Sequence, residues 1–206
     1  MKKVSSVILA AAAALGLNSC KSAPTAVVVV DELYDFIDGS LACKRADECV
    51  KNSEAVLKEA SAKGTPIFFV CDFHPANHCS FVEQGGPWPP HCVQGTRGGE
   101  IADELKPFVT GDNVFYKGTN PAEEQYSGFE GVSKEGVSLN DALKALGITK
   151  VTVIGIATEY CVRNTAEDLL KAGYEVSIPE KALACVDEDG HVEAVAAMKA
   201  EGINIY

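Results

Sequence analysis

The chain is short of basic residues and histidine, has one tryptophan, and lacks any apolar run long enough to cross a membrane. Its 206 residues carry 18 lysines and arginines against 29 aspartates and glutamates, a formal net charge of −11. So acidic a surface repels phosphate backbones and anionic lipid, which argues against nucleic-acid binding and against electrostatic attachment to a bilayer. No internal repeat, low-complexity tract or interdomain linker is present. About 180 residues are therefore left for one domain, enough to bury a substantial core. Of only four histidines, three (His74, His78 and His91) fall in one short stretch.

What is present begins at the N-terminus. Met1-Lys2-Lys3 precedes an Ala-rich apolar run from Val7 to Leu17 and then Asn18-Ser19-Cys20. A basic head, a short apolar run and a small residue before the cut make residues 1–19 read as a signal peptide, too short for a stable membrane span. Leu17–Cys20 resembles a bacterial lipobox, which makes Cys20 a lipidation candidate and the lipid the sole membrane contact. Asn18 is atypical of that motif, so ordinary cleavage is the alternative. Both outcomes export the protein, to the periplasm or cell envelope of a bacterium, with residues 20–25 as a linker and 26–206 as the folded domain. Removing Lys2 and Lys3 from the 18 basic residues leaves 16 against 29 acidic ones, a net charge of −13.

There are eight cysteines. Setting aside Cys20 and Cys161, the other six allow 15 pairings, with Cys43 and Cys49 the nearest local pair for an oxidising compartment. Cys71, Cys79 and Cys92 adjoin the histidine stretch and equally suit reduced, apolar packing.

Read in order, Ala26–Val30 is an apolar strand ending at Asp31. A helix is expected over 53–63, with Ser53 as N-cap and Gly64 as its stop. Pro66–Cys71 is a second strand, ending at Asp72. Residues 73–100, rich in Gly, Pro and His, form a long loop. Asn113–Tyr116 is a short strand ending at Lys117, and Ser138–Leu146 a capped helix closed by Gly147. The run Val151–Ile156 is a doubly buried strand, and Val162, Ala166, Leu169 and Leu170 lie on one face of the helix that follows. A strand over 174–178, a helix over 189–200 and an edge strand over 203–206 complete the chain. Alternation of this kind predicts an α/β fold: a three-layer α/β/α sandwich on a mainly parallel six-stranded sheet with Rossmann-like topology.

Ligands in such folds bind beyond the C-terminal ends of the strands. Asp31, Asp72, Lys117 and Cys161 occupy four such ends. Cys161, where a strand turns into a helix, meets backbone N–H groups and the positive end of a dipole, which favour a thiolate and can bind a developing oxyanion. Taken singly, a buried cysteine is usually packing, Asp31 a strand-end cap and Lys117 a solvated surface residue. Together they make a nucleophilic triad without histidine: Asp31 takes the thiol proton and Lys117 stabilises charge. Asp72 and His74, two residues apart on extended backbone, share a face, and His91 returns from the loop. One carboxylate and two imidazoles suit Zn²⁺, Mn²⁺ or Fe²⁺, with His78 or Glu83 as a further ligand; ordinary loop hydrogen bonding is the alternative for each histidine.

Four segments in order then resemble nicotinamidases/pyrazinamidases of the isochorismatase-like cysteine hydrolase superfamily, over nearly all of residues 26–206. They are Asp72-Phe73-His74-Pro75-Ala76-Asn77-His78-Cys79-Ser80-Phe81, Trp88-Pro89-Pro90-His91-Cys92-Val93, Lys117-Gly118-Thr119-Asn120-Pro121 with Tyr126-Ser127-Gly128-Phe129, and Gly155 to Val162. The resemblance implies Cys161 as nucleophile, Asp31 as base and Lys117 as third member. It implies an oxyanion hole from the amides of Ala157 and Cys161, beside a cis Ile156–Ala157 peptide. It also implies a metal, zinc first among the three, on Asp72, His74 and His91, taking the pyridine nitrogen of a small aromatic amide. Phe36 and Trp88 would sandwich the ring, with Ala157 and Tyr126 beside it.

The expected activity is hydrolysis of nicotinamide, and of pyrazinamide-like amides, to the acid and ammonia through a thioester. Departures are Glu32-Leu33-Tyr34-Asp35-Phe36 after the base, where relatives carry Gln and Asn, Glu159 for the commoner Asp, and Glu83 at a loop position where some relatives supply a carboxylate ligand. N-carbamoyl-amide hydrolases lack the metal ligands and isochorismatases lack the nucleophile, so both fit less well. A catalytically weak exported binding lipoprotein is the reading from another class. Homo-oligomerisation is left open.

Overall fold

Four consecutive valines, Val27–Val30, are almost wholly buried, and that is possible only for a strand covered on both faces. The computed structural model describes residues 23–206. The signal peptide, Cys20 and most of the expected linker lie outside the described residues. Strand β1 is Thr25–Val30 and so takes in Thr25, which the composition had assigned to the linker. The other strands are β2 (Ile67–Asp72), β3 (Val114–Lys117), β4 (Val132–Ser133), β5 (Lys150–Gly155), β6 (Glu175–Ile178) and β7 (Asn204–Ile205).

They form one sheet in the order β4-β3-β2-β1-β5-β6-β7, parallel except for β3 with β4. The sheet thus has seven strands, not six. The added strand, β4, is two residues long and pairs antiparallel at an edge, too short to leave an alternating pattern. Order reverses at β1, which pairs with β2 on one side and β5 on the other. The crevice at that reversal, beyond the strand ends, is where this topology opens a binding site.

Alternate residues of the strands feed two cores. Val28, Val30, Val70, Val151 and Val153 pack with Leu139, Leu143, Leu169 and Met198 of α3 (Leu139–Ala145), α4 (Arg163–Lys171) and α5 (Glu188–Ala200). Val27, Val29, Phe69 and Ile154 pack on the other face with Phe36 of α1 (Tyr34–Ile37) and Leu57 of α2 (Ala46–Ala62). Each valine so buried contributes about 1.5–3 kcal/mol.

Helix α2 starts seven residues before the expected position, so Ser53 is a buried interior residue and no N-cap. Its buried stripe runs through Ala46, Cys49, Val50, Ser53, Leu57 and Ala60. The helical period appears once the small residues are counted as core. The expected cap of α3 is present, with Ser138 Oγ accepting from Asp141 N at 3.1 Å. Among the described residues the seven cysteines are free thiols, Cys43 and Cys49 included, and no helix is long and apolar enough to cross a membrane.

Candidate active site

Each strand delivers its last side chain to the same crevice because the sheet register aligns the ends. Asp72 pairs with Lys117 across β2 and β3, and Val30 with Val70 and Gly155. Asp31 follows β1 with φ 50°, and its Oδ1 accepts from Asp72 N at 2.7 Å. Cys161 arrives from a π-helical turn, Thr158–Val162, that precedes α4. Sequence periodicity placed Cys161 at the start of an α-helix; the wider turn found instead is the irregularity often seen at functional sites. The Ile156–Ala157 peptide is cis.

The Lys117 ammonium stands at the centre, fully buried. It contacts Asp72 Oδ1, lies 2.9 Å from Asp31 Oδ2 and 3.3 Å from Cys161 Sγ. Carboxylate oxygens of Asp31 and Asp72 and the Cys161 sulfur fall within 4.8 Å of one another, and the lysine fills the space among them. Asp31 Oδ2 has the ion pair but no aligned hydrogen bond, which leaves it a lone pair to accept a proton.

Burial, with Asp72 beside it, raises the Asp31 carboxyl to about 6 against the pull of Lys117. For Asp72, burial works upward but is outweighed by Lys117 and His74, which hold it below the usual range. Lys117 would be lowered by burial, yet the two carboxylates keep it well above its ordinary value. Burial pushes the Cys161 thiol well up, with Lys117 opposing. Burial thus favours the protonated sulfur at rest. The turn and the lysine favour a thiolate, and desolvation opposes them, which leaves Asp31 to take the proton.

Asp72 also faces the other way. Its Oδ2 lies 3.5 Å from His74 Nε2 and 3.9 Å from His91 Nε2. His74 Nδ1 is bonded to Gly118 O at 2.9 Å and His91 Nδ1 to Pro89 O at 2.8 Å. Carbonyls only accept, so both rings carry a proton on Nδ1 and aim Nε2 at Asp72, the nitrogen left free to bind a cation. That is the second-shell arrangement of metal-binding histidines. The three donor atoms lie within 4.8 Å of one another, so the donor set fits a divalent cation. Gly118 is required here: its φ is +63°, and a Cβ would stand 2.3 Å from His74 Cε1.

Two expected ligands are not in this group. His78 is buried, but Nδ1 is bonded to Ser80 Oγ at 2.7 Å and Nε2 to Glu123 O at 3.1 Å. Glu83 sits exposed on a 3₁₀ turn, outside the cluster.

The cleft above is lined by Phe36, Trp88, Tyr126 and Ala157, as expected, together with His91 and Cys161. Phe36 tilts over His91 with ring centroids 5.4 Å apart, and Trp88 Nε1 donates to Tyr126 OH at 3.1 Å. Leu41, Tyr160, Glu124 and Val186 also line it and were missed. Tyr160 adjoins Cys161 and was legible; Leu41 and Val186 lie in segments with no periodic pattern.

A doubly wound parallel sheet with a buried thiol, lysine and carboxylate at its switch point, next to a carboxylate–imidazole cluster, defines a class of α/β cysteine hydrolases. The chain belongs to the isochorismatase family, whose domain matches residues 25–205. It is 35% identical over 184 residues to the nicotinamidase/pyrazinamidase of Mycobacterium tuberculosis, covering 87% of this chain and 97% of that one. A pyrazinamidase of Pyrococcus horikoshii solved in complex with zinc is 37% identical, with a TM-score of 0.78, covering 89% of this chain and 98% of that one. The PnC1 protein of L. infantum, solved with nicotinate, is 32% identical, with a TM-score of 0.76 and coverage of 90% and 93%.

Proposed function

We propose that the chain is a nicotinamidase, hydrolysing nicotinamide to nicotinate and ammonia and acting on pyrazinamide-like amides. The observation that carries this reading is Lys117 bridging Asp31, Asp72 and Cys161 at the floor of an aromatic cleft, with the Asp72–His74–His91 donor set alongside. The relatives' names and the zinc- and nicotinate-bound structures support the substrate class.

In the reaction, the substrate carbonyl approaches Cys161, and Asp31 Oδ2 takes the thiol proton as sulfur attacks carbon. The tetrahedral oxyanion is held by the Ala157 and Cys161 amides. The Asp31 proton then goes to the amide nitrogen, the C–N bond breaks, and ammonia leaves a thioester on Cys161. Asp31, again ionised, takes a proton from water as it attacks the thioester, and returns it to sulfur as nicotinic acid departs and ionises to nicotinate. A carboxyl near 6 is ionised at neutral pH yet basic enough for both transfers. Lys117 keeps its charge throughout and stabilises the sulfur anion. Phe36 and Trp88 hold the ring and exclude water.

Asp72, His74 and His91 would hold a divalent ion, zinc first with Mn²⁺ and Fe²⁺ also suited to the donors, and that ion would supply a Lewis-acidic anchor for the pyridine nitrogen. The test is ammonia release from nicotinamide before and after chelation, with metal content measured alongside. Turnover that chelator abolishes and zinc restores is expected. Absence of turnover in the zinc-loaded protein would overturn the reading. The N-terminal pattern supports a further proposal, that the enzyme is exported with Cys20 lipidated or the leader simply cleaved; the mass of the mature N-terminus decides between these.

A further inference from the structure

We infer that His191, far along the chain from the triad, is a positioning residue for the oxyanion hole, resting on the hydrolase reading above. Its ring is buried in the first turns of α5, and its Nδ1 lies 3.0 Å from Thr158 Oγ1. Thr158 is itself fully buried and follows Ala157 directly. Its N–H donates to Ala184 O at 2.8 Å, and its hydroxyl donates to the same carbonyl at 2.9 Å. A hydroxyl has one proton, and a carbonyl can only accept. With that proton spent on Ala184, Thr158 Oγ1 can only accept from the imidazole. Were the hydroxyl turned toward the ring, two acceptor oxygens would face each other at 2.9 Å. The His191 ring therefore carries a proton on Nδ1, and burial, which lowers its pKa against Glu180 3.9 Å from Nε2, favours the neutral form.

The chain of bonds is thus directional: His191 Nδ1–H to Thr158 Oγ1, then Thr158 O–H to Ala184 O. It pins the peptide between Ala157 and Thr158. A second clasp acts on the next residue, because Asp187 N donates to Glu159 Oε1 at 2.7 Å. Asp187 is also the N-cap of α5, its Oδ2 accepting from Gly190 N at 2.9 Å. Two successive residues of the turn that carries Cys161 are hence held by the start of α5. The amides of Thr158, Tyr160 and Val162 are committed to the carbonyls of Ala184 and Ala157. On the hydrolase reading that orientation presents the Ala157 and Cys161 amides to the oxyanion, and small errors in such geometry are expensive in rate.

The bond makes chemically distinct demands on replacements. Asparagine places an amide N–H where Nδ1 stands, whereas glutamine reaches only the position of Nε2. His191→Ala should lower kcat for nicotinamide by roughly 10–100-fold with KM within about twofold. His191→Asn should recover most of that loss, and His191→Gln should not. The two amide variants keep bulk and polarity, so this comparison stands even where His191→Ala fails to fold. Independently of activity, ¹⁵N NMR of the wild-type imidazole should report a protonated Nδ1 and an unprotonated Nε2 at neutral pH. An Nε2–H tautomer, unaltered kcat in all three variants, or asparagine and glutamine variants of equal rate would each overturn the inference. A wild-type protein without turnover would instead overturn the hydrolase reading, and the tautomer measurement would still decide the bond to Thr158.

Discussion

Glu32 follows Asp31 on the chain, and its carboxyl is buried with both oxygens lacking a partner. Ser53 of α2 stands beside it, also without an aligned hydrogen bond, and offsets little of the cost of burial. That burial pushes the carboxyl up to about 8 from 4.5. The folded protein therefore binds a proton that the unfolded chain has released, throughout the window between those values. Below pH 4.5 the acid is neutral in both states; as pH rises toward 8 the folded state progressively loses stability; above 8 the loss is complete. At about 1.4 kcal/mol per pH unit the full penalty is on the order of 4–5 kcal/mol, and relaxation around the ionised group reduces it. Glu32→Gln keeps the shape and removes the ionisation. Urea unfolding of both proteins at pH 5 and pH 8.5 should give a difference of about 1 kcal/mol or less at the lower pH and roughly 2–4 kcal/mol in favour of glutamine at the higher. A difference independent of pH would refute the reasoning, because it would mean Glu32 titrates alike in both states.

Lys117→Met leaves Asp31 and Asp72 buried and facing each other without a cation. It should cost about 3–5 kcal/mol by chemical unfolding and abolish ammonia release; a stable, active variant would contradict the central ion cluster. Gly118→Ala drives a methyl into His74, so zinc content at purification should fall along with activity, and full occupancy would count against the placement of His74. Phe36→Ala opens one wall of the cleft and should raise KM for nicotinamide about tenfold or more while changing kcat less, as steady-state kinetics would show.

How much of this was legible depends on what kind of signal each residue left. Strand ends were readable because apolar runs stop at charged residues, and Asp31, Asp72 and Lys117 stand within a residue of those stops. Parallel topology then brings such ends together whatever the loops do. Strand β4 was not readable, since two residues leave no period. The start of α2 was hidden because Cys49 and Ser53 serve as core positions that composition scores as neutral or polar. His78 looked like a ligand by proximity alone; only the fold shows both its nitrogens spent on Ser80 and Glu123. The protonation state of Cys161 also required the fold, because desolvation depends on what surrounds the sulfur and not on its neighbours in sequence. His191 left no signal at all, standing 30 positions from Cys161 in a helix with an ordinary pattern.

The central step is covalent bonding of the Cys161 sulfur to the acyl group. Rapid quenching of the zinc-loaded protein with nicotinamide, followed by intact-mass and peptide analysis, tests this directly. A nicotinoyl adduct confined to Cys161 in the wild type, with no adduct and no ammonia release in Cys161→Ala at unchanged zinc content, is the result predicted. Sustained ammonia release by Cys161→Ala would contradict it.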